Sequence, residues 1–517
     1  MEERRIRAQA PADRGAAVVA VVGAIDRLPG VGDEAPPTDV VSGRRLANPG
    51  GGTALRLLFE SDHGQTGSGS MSPAEVDVWG DEVLAACGRL ADAKMVLRHV
   101  ETGTMRAAER AGGELDVWVA ATRPPAAWVD RSDVDRWAAS LARRHGDELR
   151  AARAAVDGGG DDYDRLAAVH LKRMAYQVGL PDDAMIDGCS VRTYRLVLGR
   201  LLAWALRADG RGESSMQSER GLAAAVAAAL RLAPTVAARA VAAYIVDEVN
   251  ASYHAAVPGA AAPVVRVGVD RLVCSIHGLT TEPLLSLTRE LRRRAADEYH
   301  NATHLKEGVF RRDVYGLFSD KRFVAAAGGI ALRRERGDLR TDIDAAVFDR
   351  KTGTLAVFEL KSLDPFARSA AELARQRDTV LYANRQVSGV LEWLQRHGPD
   401  EILDRVDHAT AKRFRVQKVL PFVLARYLVR FEDGPEPDRR AAWGTWPQVL
   451  RLLGGEPART SDANPLASLH ARLKSDDPGM GSMPDSAREI ELGDMRLVVH
   501  PSYAEYRASV GGTAMVG

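Results

Sequence analysis

Four residues stand at a spacing that suits phosphate chemistry: Asp342 and Asp344 in RTDIDAAVF, and Glu359 and Lys361 in LAVFELKS. Side chains alternate along a strand, so Asp342, Asp344 and Ala346 share one face of the first segment. Val357, Glu359 and Lys361 likewise share one face of the second. If the two segments are neighbouring strands, carboxylates and an ammonium converge. Charged groups at the end of apolar strands are costly to bury unless they pair or hold a cation. Asp344 and Glu359 offer oxygen ligands to a hard divalent ion, Mg2+ or Mn2+, with water, backbone carbonyl and substrate phosphate completing its shell. Lys361 beside them can orient or deprotonate an attacking water, or steady the charge that develops on a phosphate. An E-x-K triplet alone is an ordinary ion pair, so the weight falls on the elements around it.

Those elements read as an α/β order. Residues 305–319 predict an amphipathic helix with Val309, Phe310, Val314, Leu317 and Phe318 on its apolar side. Three strand-like segments follow, 323–332, 340–348 and 354–361, the last two joined by a turn at 349–353. A helix over 367–397 and a strand over 416–431 complete the run.

A helix bearing an acid, then D-x14-E-x-K on a hairpin, then a helix and a strand, resembles the PD-(D/E)xK nuclease superfamily over about 305–435. The resemblance implies a restriction-endonuclease-like core with Asp344 as the first metal-binding acid and Glu359 and Lys361 as the (D/E)xK pair. It further implies Glu307 as the acid of the first core helix, a third metal ligand, and Gln376, in ARQRDTVLY, as the glutamine of the following helix. No Pro precedes Asp344, whose local sequence is Asp-Ile-Asp, so the choice between Asp342 and Asp344 is open. The apolar stretch after Asp344 favours the latter. The activity implied is Mg2+- or Mn2+-dependent hydrolysis of phosphodiesters by in-line attack of water, with DNA as substrate and restriction or defence against phage as the setting.

The chain has 517 residues, too many for one ordinary core, so two to four units are expected. Residues 1–70, rich in Gly, Pro, Ser and Asp, read as loop-rich; 71–285 as mostly helical, serving recognition, regulation or assembly; 286–440 as the α/β domain; and 441–517 as an extension. Expected helices lie at 76–98, 132–156, 163–178, 191–208 and 219–252, the first opened by Ser72, Pro73 and Glu75 in cap positions. Lys plus Arg equals Asp plus Glu at 70, so no global field draws the chain to nucleic acid, and any such site must be local. The arginines at 292–294 and at 333, 334, 336 and 340 are candidates for phosphate contacts. Cys87, Cys189 and Cys274 lie far apart, which gives no disulfide framework and fits a reducing cytoplasm. The apolar tract 221–246 contains Arg231, Pro234 and Arg239, which suits packed Ala-rich helices and not a membrane span. A homo-oligomer or a protein partner would use the helical region. Two rival readings are a non-catalytic scaffold of the same fold and a helical DNA-binding or regulatory subunit.

Overall fold

Phe310 and Val314, one helical turn apart, are fully buried and set the inward side of helix α1, Lys306–Gly316. The chain then forms strands β1 (Phe323–Ala325), β2 (Ile330–Arg333), β3 (Leu339–Ile343), β4 (Ala345–Asp349) and β5 (Thr354–Lys361). Helices α2 (Ala370–His397) and α3 (Pro399–Val406), strands β6 (Lys418–Ala425) and β7 (Ala442–Thr445), and helices α4 (Trp446–Leu452) and α5 (Pro465–Ser475) follow. The computed structural model describes residues 13–28, 50–61, 71–101, 105–110, 113–119, 146–174, 179–210, 216–256, 261–333, 339–363, 370–426, 437–453, 463–475, 487–493 and 495–500, with single positions at 3, 6, 11, 103, 337, 504 and 506.

Five strands make one mixed sheet in the order β7-β6-β5-β4-β1. The β4–β5 hairpin is antiparallel, with Ala345 opposite Phe358 and Asp349 opposite Thr354, whereas β5, β6 and β7 run parallel. Gly353 closes the hairpin turn at φ +65, and a Cβ there would stand 2.6 Å from Gln417 Cγ, so glycine alone fits. The central strand β5 is buried on both faces, as its nearly unbroken apolar run requires. One face carries Ala356, Phe358 and Leu360 against α1, α4 and α5; Phe358 stacks on Phe422 at 4.8 Å between ring centroids. The other face carries Leu355 and Val357 against Val390 and Trp393 of α2.

Two expected strands are divided. The 323–332 segment is interrupted at Gly328 and Gly329, where β1 leaves the five-stranded sheet and β2 pairs with β3 instead. The 340–348 segment breaks at Asp344, so Asp342 belongs to the β2–β3 hairpin and Ala346 to the main sheet. The strand expected at 416–431 runs from Lys418 to Ala425, its expected end lying outside the described residues.

Past the expected boundary at 440, β7, α4 and α5 pack on the same core: Ala442, Trp446, Leu466 and Leu469 cluster with Phe422. Strands Arg488–Leu492 and Met495–His500 join the hairpin Met105–Arg110 and Glu114–Val119 in a four-stranded sheet, where His500 Nε2 meets Asp116 Oδ1 at 2.7 Å. The tail is therefore shared with the first half of the chain.

The region 71–285 contains sheets as well as helices, among them a four-stranded one around Val264–Gly268 and Arg271–Cys274. Within 1–70 the described residues include a helix, Arg14–Asp26, capped by Asp13 and buried along Val18, Val21, Val22 and Ile25, contrary to the loop-rich expectation. Its alanines and valines leave no polar face to advertise a surface helix. The capping reading at 72–75 is realised reciprocally: Ser72 N donates to Glu75 Oε2 at 2.7 Å and Glu75 N to Ser72 Oγ at 3.4 Å. The 219–252 stretch forms Glu219–Leu230 and Pro234–Ala242, bent by 120° about Arg231 in the left-handed conformation. No single helix among the described residues is long and apolar enough to cross a membrane. The first part of the helix expected at 132–156 and the arginines 334 and 336 lie outside the described residues.

Candidate active site at the end of the central strands

Asp344 sits where β3 gives way to β4, and its position follows from backbone hydrogen bonds. Its N–H donates to Phe358 O at 3.1 Å, and its Oδ2 accepts the N–H of Leu360 at 2.6 Å. The carboxylate is thereby fixed against the end of β5, between the backbone of Phe358 and that of Leu360. Its carbonyl oxygen accepts from Arg311 Nε of α1, and the same guanidinium binds Glu307.

On β5, Glu359 and Lys361 project from the face shared with Val357. Lys361 Nζ stands 2.5 Å from Glu359 Oε1 and donates to Gln386 Oε1 of α2 at 3.0 Å. Gln386 Nε2 in turn donates to Asp342 Oδ1 at 3.2 Å. Asp342, Glu359, Lys361 and Gln386 are thus linked, with Asp344 on the adjoining strand end. The ammonium and Glu359 Oε1 form a close, largely buried ion pair.

The electrostatics follow from two acids sharing a dry site. Burial, with the neighbouring charges of Glu307 and Asp342, pushes the Asp344 carboxyl up to about 6 despite the Leu360 hydrogen bond and Lys361. Burial and then the charge of Asp344 hold Glu359 well above the usual carboxylate range, Lys361 only partly relieving it. Burial also works against charge on Lys361, yet Glu359, Asp344 and Asp342 outweigh it and raise its pKa. One ammonium facing this many carboxylates leaves the cluster short of positive charge.

That deficit and the donor chemistry fit a hard cation. The nearby acids supply oxygen only, and burial and the charge of Asp344 outweigh the relief that Lys361 gives Glu359. Among the described residues no group of three or more His, Cys, Asp and Glu is placed as a ready-made cage. Mg2+ does not require one, since it keeps several waters and is held by one or two carboxylates together with substrate phosphate. Asp344 and Glu359 are the residues that would hold it.

Glu307 reaches this neighbourhood less directly. It is half-exposed on α1, paired with Arg311, and acts on Asp344 through its charge. Gln376 is on α2, but the glutamine that touches Lys361 is Gln386, ten residues later and about 15 Å further along the helix axis. Gln386 and Arg311 are the residues that sequence reasoning passed over. Gln386 had a signal: it interrupts the apolar stripe of Val380, Ala383, Val387 and Val390, where a buried polar residue needs a partner. Several arginines expected near phosphate are committed elsewhere, Arg293 to Glu290, Arg294 to Asp187 and Arg340 to Glu392.

No family model, curated protein or solved structure matches the chain.

Proposed function

We propose that the α/β region is a divalent-cation-dependent nuclease of the PD-(D/E)xK type, hydrolysing phosphodiester bonds of nucleic acid, with DNA as the favoured substrate. The observation that carries this reading is the meeting of Glu359, Lys361 and Asp344 at the ends of adjoining strands, two buried acids of raised pKa beside one ammonium. A structural ion pair requires only one acid for one base. A second buried acid, fixed by the Leu360 amide, raises the electrostatic cost of the site, and sites carrying such costs are commonly functional.

The roles divide as follows. Asp344 and Glu359 would hold Mg2+ or Mn2+, which when bound supplies positive charge against the negative charge developing on the phosphate oxygens. Lys361 stays protonated beside its acids, so its part is to donate hydrogen bonds to phosphate or to the incoming water and not to accept a proton. Gln386 keeps the Lys361 ammonium from swinging to solvent, and its other end holds Asp342. Arg311 fastens the chain at Asp344 to α1, with Glu307 as its counter-ion. Restriction or antiviral defence is the cellular setting that the superfamily resemblance suggests.

The test is to incubate the purified protein with circular and linear DNA and with RNA, in Mg2+, Mn2+ or EDTA. Cleavage that requires the cation and disappears in Glu359→Gln is expected. Absence of cleavage on every substrate, or full activity in Glu359→Gln, would overturn the reading.

A further inference from the structure

Tyr382 lies on α2 one turn before Gln386 and is 51% exposed, although Lys361 near its ring is paired with the buried Glu359. Lys361 Nζ is 5.6 Å from the ring centroid, and Arg385 Cζ is 5.4 Å from it. Single exposed apolar residues are normal and need no function. Tyr382 differs from Val249 or Val269 in its neighbours: two cations, one of them the ammonium that also meets Glu359 and Gln386.

We infer that Tyr382 is a stacking platform for an unpaired base, so that the strand presented to this site is single-stranded nucleic acid. The inference rests on the nuclease reading of the same cluster and adds the substrate class to it. A flat ring beside cations is the pairing that single-strand binders use, because every base offers a π-face and every nucleotide a phosphate. Within a duplex both faces of a base are covered by its neighbours, and a protein reaches only base edges in the grooves. A ring at Tyr382 can therefore meet a base only in a single strand, at a frayed end, or after extrusion of that base. Since Lys361 Nζ is paired with Glu359 and stands 5.6 Å from the ring centroid, a base on Tyr382 and the phosphate at the acids belong to the same nucleotide or to adjacent ones.

The experiment uses the full chain and labelled oligonucleotides of one sequence, as single-stranded DNA, single-stranded RNA and duplex DNA. Binding is read by fluorescence anisotropy in Ca2+ and cleavage in Mg2+ or Mn2+. Wild type is expected to bind a single strand more tightly than the duplex; Tyr382→Ala should lose about tenfold or more of that affinity. Tyr382→Phe should retain it, and duplex binding should move little in either variant. The DNA and RNA arms decide which sugar is accepted. Equal single-strand binding by Tyr382→Ala and wild type, no single-strand binding by wild type, or a wild-type preference for duplex would overturn the platform. Cleavage of duplex alone would leave the nuclease standing and the platform refuted. Tyr382-dependent binding without cleavage of any substrate would refute the nuclease and leave the platform.

Discussion

The Asp344 carboxylate accepts the backbone N–H of Leu360 at 2.6 Å, so a side chain takes over where the β4–β5 ladder ends. The cost of that arrangement is a buried acid next to Glu359. The backbone N–H of Asp344 still donates to Phe358 O at 3.1 Å, so Asp344 meets β5 through backbone and side chain together.

Removing the charge while keeping the acceptor separates the two effects. Asp344→Asn preserves an oxygen for the Leu360 N–H and relieves repulsion with Glu359. The metal-free variant is expected to melt at least as high as wild type at neutral pH, with a gain of up to a few degrees and no metal-dependent cleavage. Differential scanning calorimetry in EDTA, beside a cleavage assay, gives both readings. A large fall in melting temperature would mean that the carboxylate is part of the fold's own scaffolding.

Lys361 and Glu359 should fail in different ways. Lys361→Ala is expected to lower turnover by about a hundredfold or more, the scale of an electrostatic or acid–base group, while Mn2+ affinity changes little. Glu359→Gln is expected to lose both turnover and Mn2+ binding. Titration calorimetry with Mn2+ distinguishes them, and equal loss of metal in the two variants would assign Lys361 a structural part.

The two glutamines of α2 offer a sharper comparison. Gln386→Ala frees the Lys361 ammonium and one end of Asp342, so cleavage should fall by about tenfold, roughly the value of a charge-assisted hydrogen bond. Gln376→Ala should stay within about twofold of wild type. The reverse ranking in steady-state rates would place Gln376, and not Gln386, in the site.

Much of the α/β order was legible because its elements are locally consistent. β5 spans 354–361 as expected, since an apolar run bounded by Gly353 can hardly form anything else. α1 and α2 follow their apolar stripes. What escaped depended on partners distant in sequence. The break at Asp344 comes from Leu360 and Arg311, which no local pattern around Asp-Ile-Asp reveals. The last strands pair with Glu114–Val119 across the length of the chain, and Arg14–Asp26 is helical because other elements bury it. Gln376 was singled out by its local sequence; the α2 glutamine that accepts from Lys361 is Gln386.

The pH dependence of the fold should carry the signature of His470 on α5. Burial, with Lys474 and Lys418 nearby, lowers its pKa from 6.5 to about 4, and its ring stands edge-on to Phe422 at 5.1 Å between centroids. The folded form therefore binds fewer protons than the unfolded chain between those two pH values. By linkage, His470 imposes no penalty above about 6.5, and the fold loses stability as pH falls from there toward 4. Below that the ring is protonated in both states and the loss attributable to it stops growing. His470→Leu keeps an apolar side chain against Phe422 and removes the titrating group. Urea unfolding between pH 7 and about 4 is expected to show a shallower decline in the variant than in wild type, with other acid-sensitive pairs supplying the remaining slope. Parallel declines in the two proteins would show that His470 is already charged inside the fold.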